Sequence, residues 1–186
     1  MKGTSVPGQN TGERLLTSRR RSALALMAGA VIMLALVQTQ TVRFYYTPLI
    51  VGLTYLGAAL AGGRRGTLWA PGIVTACWGI AVLLGVHGVV TIDGKLSYEI
   101  AGGIGVVVVL LLRRYTLTKT AGWVGLSVSY GIILLHNYAH PPAWVFHGAT
   151  FAVLLGLWSV WELRPESREV EASSRQDEVM TRDVRV

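Results

Sequence analysis

Long apolar runs joined by short polar links set the pattern of this chain. Six runs stand out: Ser22–Thr39, Tyr46–Gly62, Leu68–Val90, Leu96–Leu112, Gly122–Tyr138 and Pro142–Trp161. A helix needs about 20 apolar residues to cross the hydrocarbon of a bilayer. The runs are continuously apolar and lack a period of two, so they predict helices rather than the alternating strands of a membrane barrel. The expected fold is all-α, a polytopic membrane protein built as a six-transmembrane-helix bundle. Residues 1–21 are then a cytoplasmic N-terminal tail, 22–161 the membrane domain, and 162–186 a disordered cytoplasmic C-terminal tail. That last segment mixes acids and bases, lacks aromatic residues, and cannot bury enough apolar area to fold alone.

Charge sharpens this picture. Apolar residues make up 52% of the chain and charged ones 15%. Between Ser22 and Trp161 the only carboxylates are Asp93 and Glu99. Of the 17 lysines and arginines, all but Arg43 and Lys95 fall in the two tails or in the joints after the second and fourth runs. Basic residues collect on the cytoplasmic side, which places both termini there and the protein in the cell membrane. The net charge of +7 therefore reports topology. No basic stripe interleaved with exposed aromatics points to nucleic acid. Phe44, Tyr45, Tyr46, Tyr98, Tyr138 and Trp144 mark the outer edge of the membrane, and Trp69, Tyr115, Trp158 and Trp161 the inner one. Ser18-Arg19-Arg20-Arg21 ahead of an apolar run resembles a twin-arginine export signal, with Ala28-Gly29-Ala30 as a cleavage-like site. The polar lead is long and the run continues past that site, so a retained first helix is expected. Cys77 is alone, which removes intrachain disulfides and cysteine-based zinc sites.

Arg19-Arg20-Arg21-Ser22, Arg64-Arg65-Gly66-Thr67 and Arg113-Arg114-Tyr115-Thr116 each open an outward-going run. This spacing predicts three tandem helical hairpins, related by an axis along the membrane normal. Gly148, Ala152 and Gly156 recur every fourth residue, and Ala58 with Gly62 and Ala101 with Gly105 match them. Such small residues let helices approach closely, within one bundle or across a homo-oligomer seam.

Chemistry-bearing residues gather at one level. The stretch HNYAHPPAWVFHG, 136–148, holds three of the 4 histidines. In the expected topology His136, His140 and His147 all lie near the outer face. His147 sits about 8 Å down the last helix, and His87 about 29 Å along the third. Imidazole is a common metal ligand and titrates near neutral pH. His87, His136, His140 and His147 therefore form a candidate set for a metal ion, a haem or protons, with Asp93 and Glu99 as coupling acids or further ligands. Structural accounts stand beside each reading: interfacial histidines hydrogen-bond water, and a carboxylate at a helix N-terminus is favoured by the helix dipole. Ser127 lies at a different depth from His147, which argues against a nucleophile–base pair. The sequence thus predicts a non-enzymatic multi-pass protein, either a small transporter-like bundle or an accessory subunit, with no resident cofactor. Its partners are the lipid bilayer and a membrane-protein partner or a second copy. Outer-face histidines binding a metal ion, haem or protons are the alternative.

Overall fold

In a computed structural model the described residues are 9–39, 43–63, 67–91, 93–113, 117, 120–139, 142 and 148–163. All regular structure among them is helical. Six α-helices run in chain order: α1 Gln9–Gln38, α2 Thr47–Gly62, α3 Trp69–Val86, α4 Gly94–Leu111, α5 Thr120–Tyr138 and α6 Gly148–Leu163. A 3-10 turn at Phe44–Tyr46 leads into α2, where Pro48 occupies the first turn without forfeiting a hydrogen bond. Asp93 caps α4 by accepting from the Lys95 amide at 3.2 Å. Gly63 (φ 87°) and Gly88 (φ 68°) close α2 and α3 in the left-handed region. The largest departure from the expected boundaries is α1, which begins at Gln9, inside the segment read as a tail.

Four helical stretches are long and apolar enough to cross a membrane: Thr17–Gln38, Phe44–Gly62, Trp69–Val86 and Gly94–Leu111. The apolar part of α6, Ala149–Trp161, is shorter. α5 is long enough, but Ser127, Ser129, His136 and Asn137 lower its apolar character. Each helix nonetheless exposes large apolar side chains: Leu24 and Ile32 on α1, Leu60 on α2, Ile80 on α3, Leu111 on α4, Val128 on α5 and Leu157 on α6. Such an apolar girdle has no counterpart on a monomeric water-soluble domain, whose exposed apolar patches are far smaller. This is the surface of a helical membrane protein.

The interior is organised around α3, which packs against α2, α4 and α5. Half of its length is buried, with Val74 fully inaccessible and Trp78 nearly so. Glycine makes these seams close. A Cβ on Gly52 would meet the Ala76 amide nitrogen at 2.5 Å, and one on Gly79 would meet the Leu49 Cα at 2.5 Å. Gly72 faces Leu56 across the same seam. A Cβ on Gly105 of α4 would meet the Val74 Cα at 2.9 Å, and Gly125 seats α5 on Pro71. On the far side α1 lies between α2 and α6. Ser22 Oγ donates to the Ala58 carbonyl at 3.0 Å, Ser18 Oγ donates to the Gly62 carbonyl, and Ser159 Oγ donates to the Ala23 carbonyl at 2.8 Å. Ser22 and Ser159 are buried, so alanine at either position should cost about 0.6 kcal/mol, a typical value for a hydrogen bond between membrane helices. Unfolding in detergent micelles measures this directly.

These contacts correct one expectation. α1 with α2 and α3 with α4 are packed antiparallel hairpins, but among the described residues α5 and α6 share no comparable seam. α6 packs on α1 instead, tied there by Ser159, while α5 packs on α3 and α4. Two hairpins and two separately docked helices describe the bundle better than three tandem hairpins. The small-residue stripe also divides. Ala152 is buried, whereas a Cβ on Gly156 would meet nothing within 4 Å. Of the matching positions, Ala58 is buried, Gly62 faces Ser22 and Gly105 faces Val74.

Candidate functional site: the histidine end of the bundle

The helix pairings fix which residues share an end. Ser22 against Ala58, Gly79 against Leu49 and Gly125 against Pro71 bring the starts of α1, α3 and α5 to the same end as the close of α2. Ser159 against Ala23 adds the close of α6. The opposite end holds the 3-10 turn, the close of α3, the start of α4 and the close of α5. It therefore carries both described histidines, His87 and His136, together with Asp93, Lys95 and Glu99. Apart from Lys95, these are the residues that the sequence grouped as a candidate site, less His140 and His147. His140 and His147 lie outside the described residues.

The two described histidines have different surroundings. His87 follows the last residue of α3 and is exposed, its ring edge-on to Tyr45 at 6.4 Å between centroids. His136 is half-buried between Trp78 of α3 and Tyr98 of α4, with ring centroids 5.7 and 6.1 Å away. Extending the Gly125–Pro71 pairing along α5 sets His136 about level with Val82, roughly 7–8 Å deeper than His87 at 1.5 Å per residue. Among the described residues no three histidine, cysteine or carboxylate side chains group as metal ligands. Asp93 is occupied as the α4 cap and is exposed.

Glu99 is the more structured acid. It is half-buried on α4, and the Asn137 Nδ2 of α5 donates to its Oε1 at 3.3 Å and to the Lys95 carbonyl at 3.1 Å. The Tyr138 side chain hydrogen-bonds the same carboxylate. Asn137 is only 2% exposed, so this tie closes over a dry contact between α4 and α5. Below it, Gly102 admits Ile133 and Tyr130 of α5 against the α4 backbone. Beside it the Trp78 indole N–H is buried without an acceptor among the described residues, and Trp158 Nε1 is in the same condition on α6. Buried donors are nearly always paired, which makes these two exceptions notable.

Asn137 is the residue that sequence reasoning passed over. Its signal was there to read, because a lone amide at the end of an apolar helix is expensive in lipid unless it faces a partner. Ser127 is exposed on α5, and its neighbour Ser129 donates back to the Gly125 carbonyl at 2.8 Å. That back-bond is the local, structural use of a helical serine.

The chain matches no protein-family model, no curated protein and no solved structure. Its class is therefore defined by its own fold and surface, those of a helical membrane protein.

Proposed function

We propose that this chain is a six-crossing protein of the cell membrane, with both ends cytoplasmic, that serves without enzymatic chemistry as a rigid accessory subunit of a membrane complex. The observation that carries the reading is the run of close glycine-mediated contacts that α3 makes with α2, α4 and α5, backbone to backbone with the first two. A carrier that alternates access has to part such seams to admit water and solute. Polar side chains support the same view, since Ser22, Ser159 and Asn137 are all spent on tying helices together. The arginine and lysine asymmetry supports cytoplasmic ends, and α5 and α6 complete six crossings when helix packing covers the polar residues of α5 and local thinning of the bilayer accommodates the short α6.

Substituted-cysteine labelling tests it. With Cys77 replaced by alanine, cysteines at Val74 and Ile133, both fully buried, are expected to stay unreactive to a membrane-impermeant maleimide applied from either side. Ready labelling of both would replace the accessory role with that of a transporter. Reporter fusions at Gly63 and Ala139 test the topology; activity of an extracytoplasmic reporter at Gly63 would reverse the orientation.

A second reading rests on His87 and His136 sharing one end with Glu99: a site for a metal ion, a haem or protons. It predicts zinc, copper or haem in the purified protein, lost in His87→Ala and His136→Ala. Metal content and an absorbance spectrum decide it, and a protein with neither ion nor haem would leave only proton binding.

A further inference from the structure

The basic end carries a feature that a rigid bundle does not require. Ser18 and Ser22, one turn apart, both bond the last turns of α2 and so fix which side of α1 faces that helix. At about 100° per residue, Arg20 then lies on the side of α1 away from α2, with Arg19 and Arg21 flanking it. Arg20 and Arg21 are exposed, and Arg19 is half-buried. The carbonyls at the exit of α2 already have donors, because Ser18 serves Gly62 and the Trp69 indole N–H donates to Gly63 at 3.2 Å. Neither of these two carbonyls depends on Arg20 or Arg21 as its donor.

Three tryptophans share their level. Following the α1–α2, α2–α3, α3–α5 and α1–α6 pairings sets Trp69, Trp123 and Trp161 within about one turn of the height of Arg21. Trp123 and Trp161 are 44% and 49% exposed. Indole rings settle at the headgroup level of a bilayer. Guanidinium groups bind phosphate oxygens in a bidentate fork. The acids nearest along the chain are Glu162 in the last turn of α6 and Glu13 two turns back along α1, with six more in residues 164–186. Arg64 and Arg65 follow Gly63 directly in the sequence.

We propose that Arg20 and Arg21, level with Trp69 and Trp161, bind the phosphodiester headgroup of an anionic phospholipid. The site rests on the membrane-bundle reading but not on the accessory role; a chain shown to be a transporter would keep it. The lipid is preferred over free phosphate because the arginines sit in the first turn of an apolar crossing, at the height of the tryptophans, where acyl chains can follow the lipid-facing surface of α1.

The test uses the full-length protein in neutral detergent micelles. It is titrated with short-chain phosphatidylglycerol, with phosphatidylcholine, or with inorganic phosphate, and followed by tryptophan fluorescence and thermal shift. Phosphatidylglycerol should bind at least about tenfold more tightly than phosphatidylcholine, and should weaken as salt rises. Each arginine contributes about fivefold, so Arg20→Gln with Arg21→Gln should weaken binding about 25-fold. Arg43→Gln, at the opposite end with the same kind of charge loss, should change it less than twofold. Equal affinity for the two lipids overturns the proposal, as does wild-type binding by the double variant. Phosphate binding as tightly as phosphatidylglycerol overturns the lipid assignment. Should the double variant fold poorly, the salt titration of the unaltered protein still decides, since salt-independent binding excludes an arginine–phosphate site.

Discussion

Alanine at Gly79 is expected to destabilise the protein by about 3 kcal/mol, near the upper end for overpacking a close contact. The added Cβ would lie 2.5 Å from the Leu49 Cα and 2.8 Å from its Cβ, and the obstacle is largely backbone that no rotamer change can clear. Gly52 on the facing helix should behave alike, because its Cβ would meet the Ala76 nitrogen at 2.5 Å and Cα at 2.7 Å. Gly57 and Gly103 provide the contrast. Nothing lies within 4 Å of a Cβ at either position. Alanine there should be neutral or stabilising by up to about 1 kcal/mol, the helix-propensity difference. Chemical unfolding of the four variants in detergent micelles reads the difference. If Gly79→Ala and Gly57→Ala unfold together, α2 and α3 do not meet along this seam.

The second large effect is expected at Asn137. Replacing it with leucine removes the donor shared by the Lys95 carbonyl and the Glu99 carboxylate, and should cost about 2 kcal/mol. Glu99→Gln should cost less, because an amide oxygen can still accept from Asn137. The two changes together should fall short of additivity by at least about 0.5 kcal/mol, as expected of residues in direct contact. Full additivity would mean that Asn137 and Glu99 do not act as one tie. The same variants bear on function: a coupling acid would lose transport when changed to Gln, whereas a helix tie would retain its fold and lose only stability.

Much of the fold was legible from spacing. The apolar runs located six helices within a few residues at most ends, because burying backbone polar groups in lipid leaves a helix as the natural form of such a run. The exceptions have physical causes. α1 starts at Gln9 rather than Ser22, since the residues ahead of the arginines are polar and hydropathy alone carries no signal for a helix outside the membrane. Helix partners were less legible. The spacing of the arginine joints predicted three hairpins, yet what seats α6 is Ser159 on Ala23, a contact between residues 136 positions apart. Within the candidate site, the topology read from the sequence set His87 and His136 at one end, and the helix pairings place both there, about two turns apart in height. Their separate aromatic surroundings were not, because Tyr45, Trp78 and Tyr98 come from three different elements. Glycine content announced close packing in general. Only the three-dimensional register separates Gly79, pressed against a neighbouring backbone, from Gly156, which faces open space.

The position of α1 between α2 and α6 has a consequence for biosynthesis. Once made, α1 can settle against α2 early, but its other flank, around Ala23, has no neighbour until α6 is made. Closing the bundle on this side therefore waits for α6 to dock back onto α1. A chain released before Ser159 would leave that flank of α1 uncovered, a form that quality-control proteases recognise.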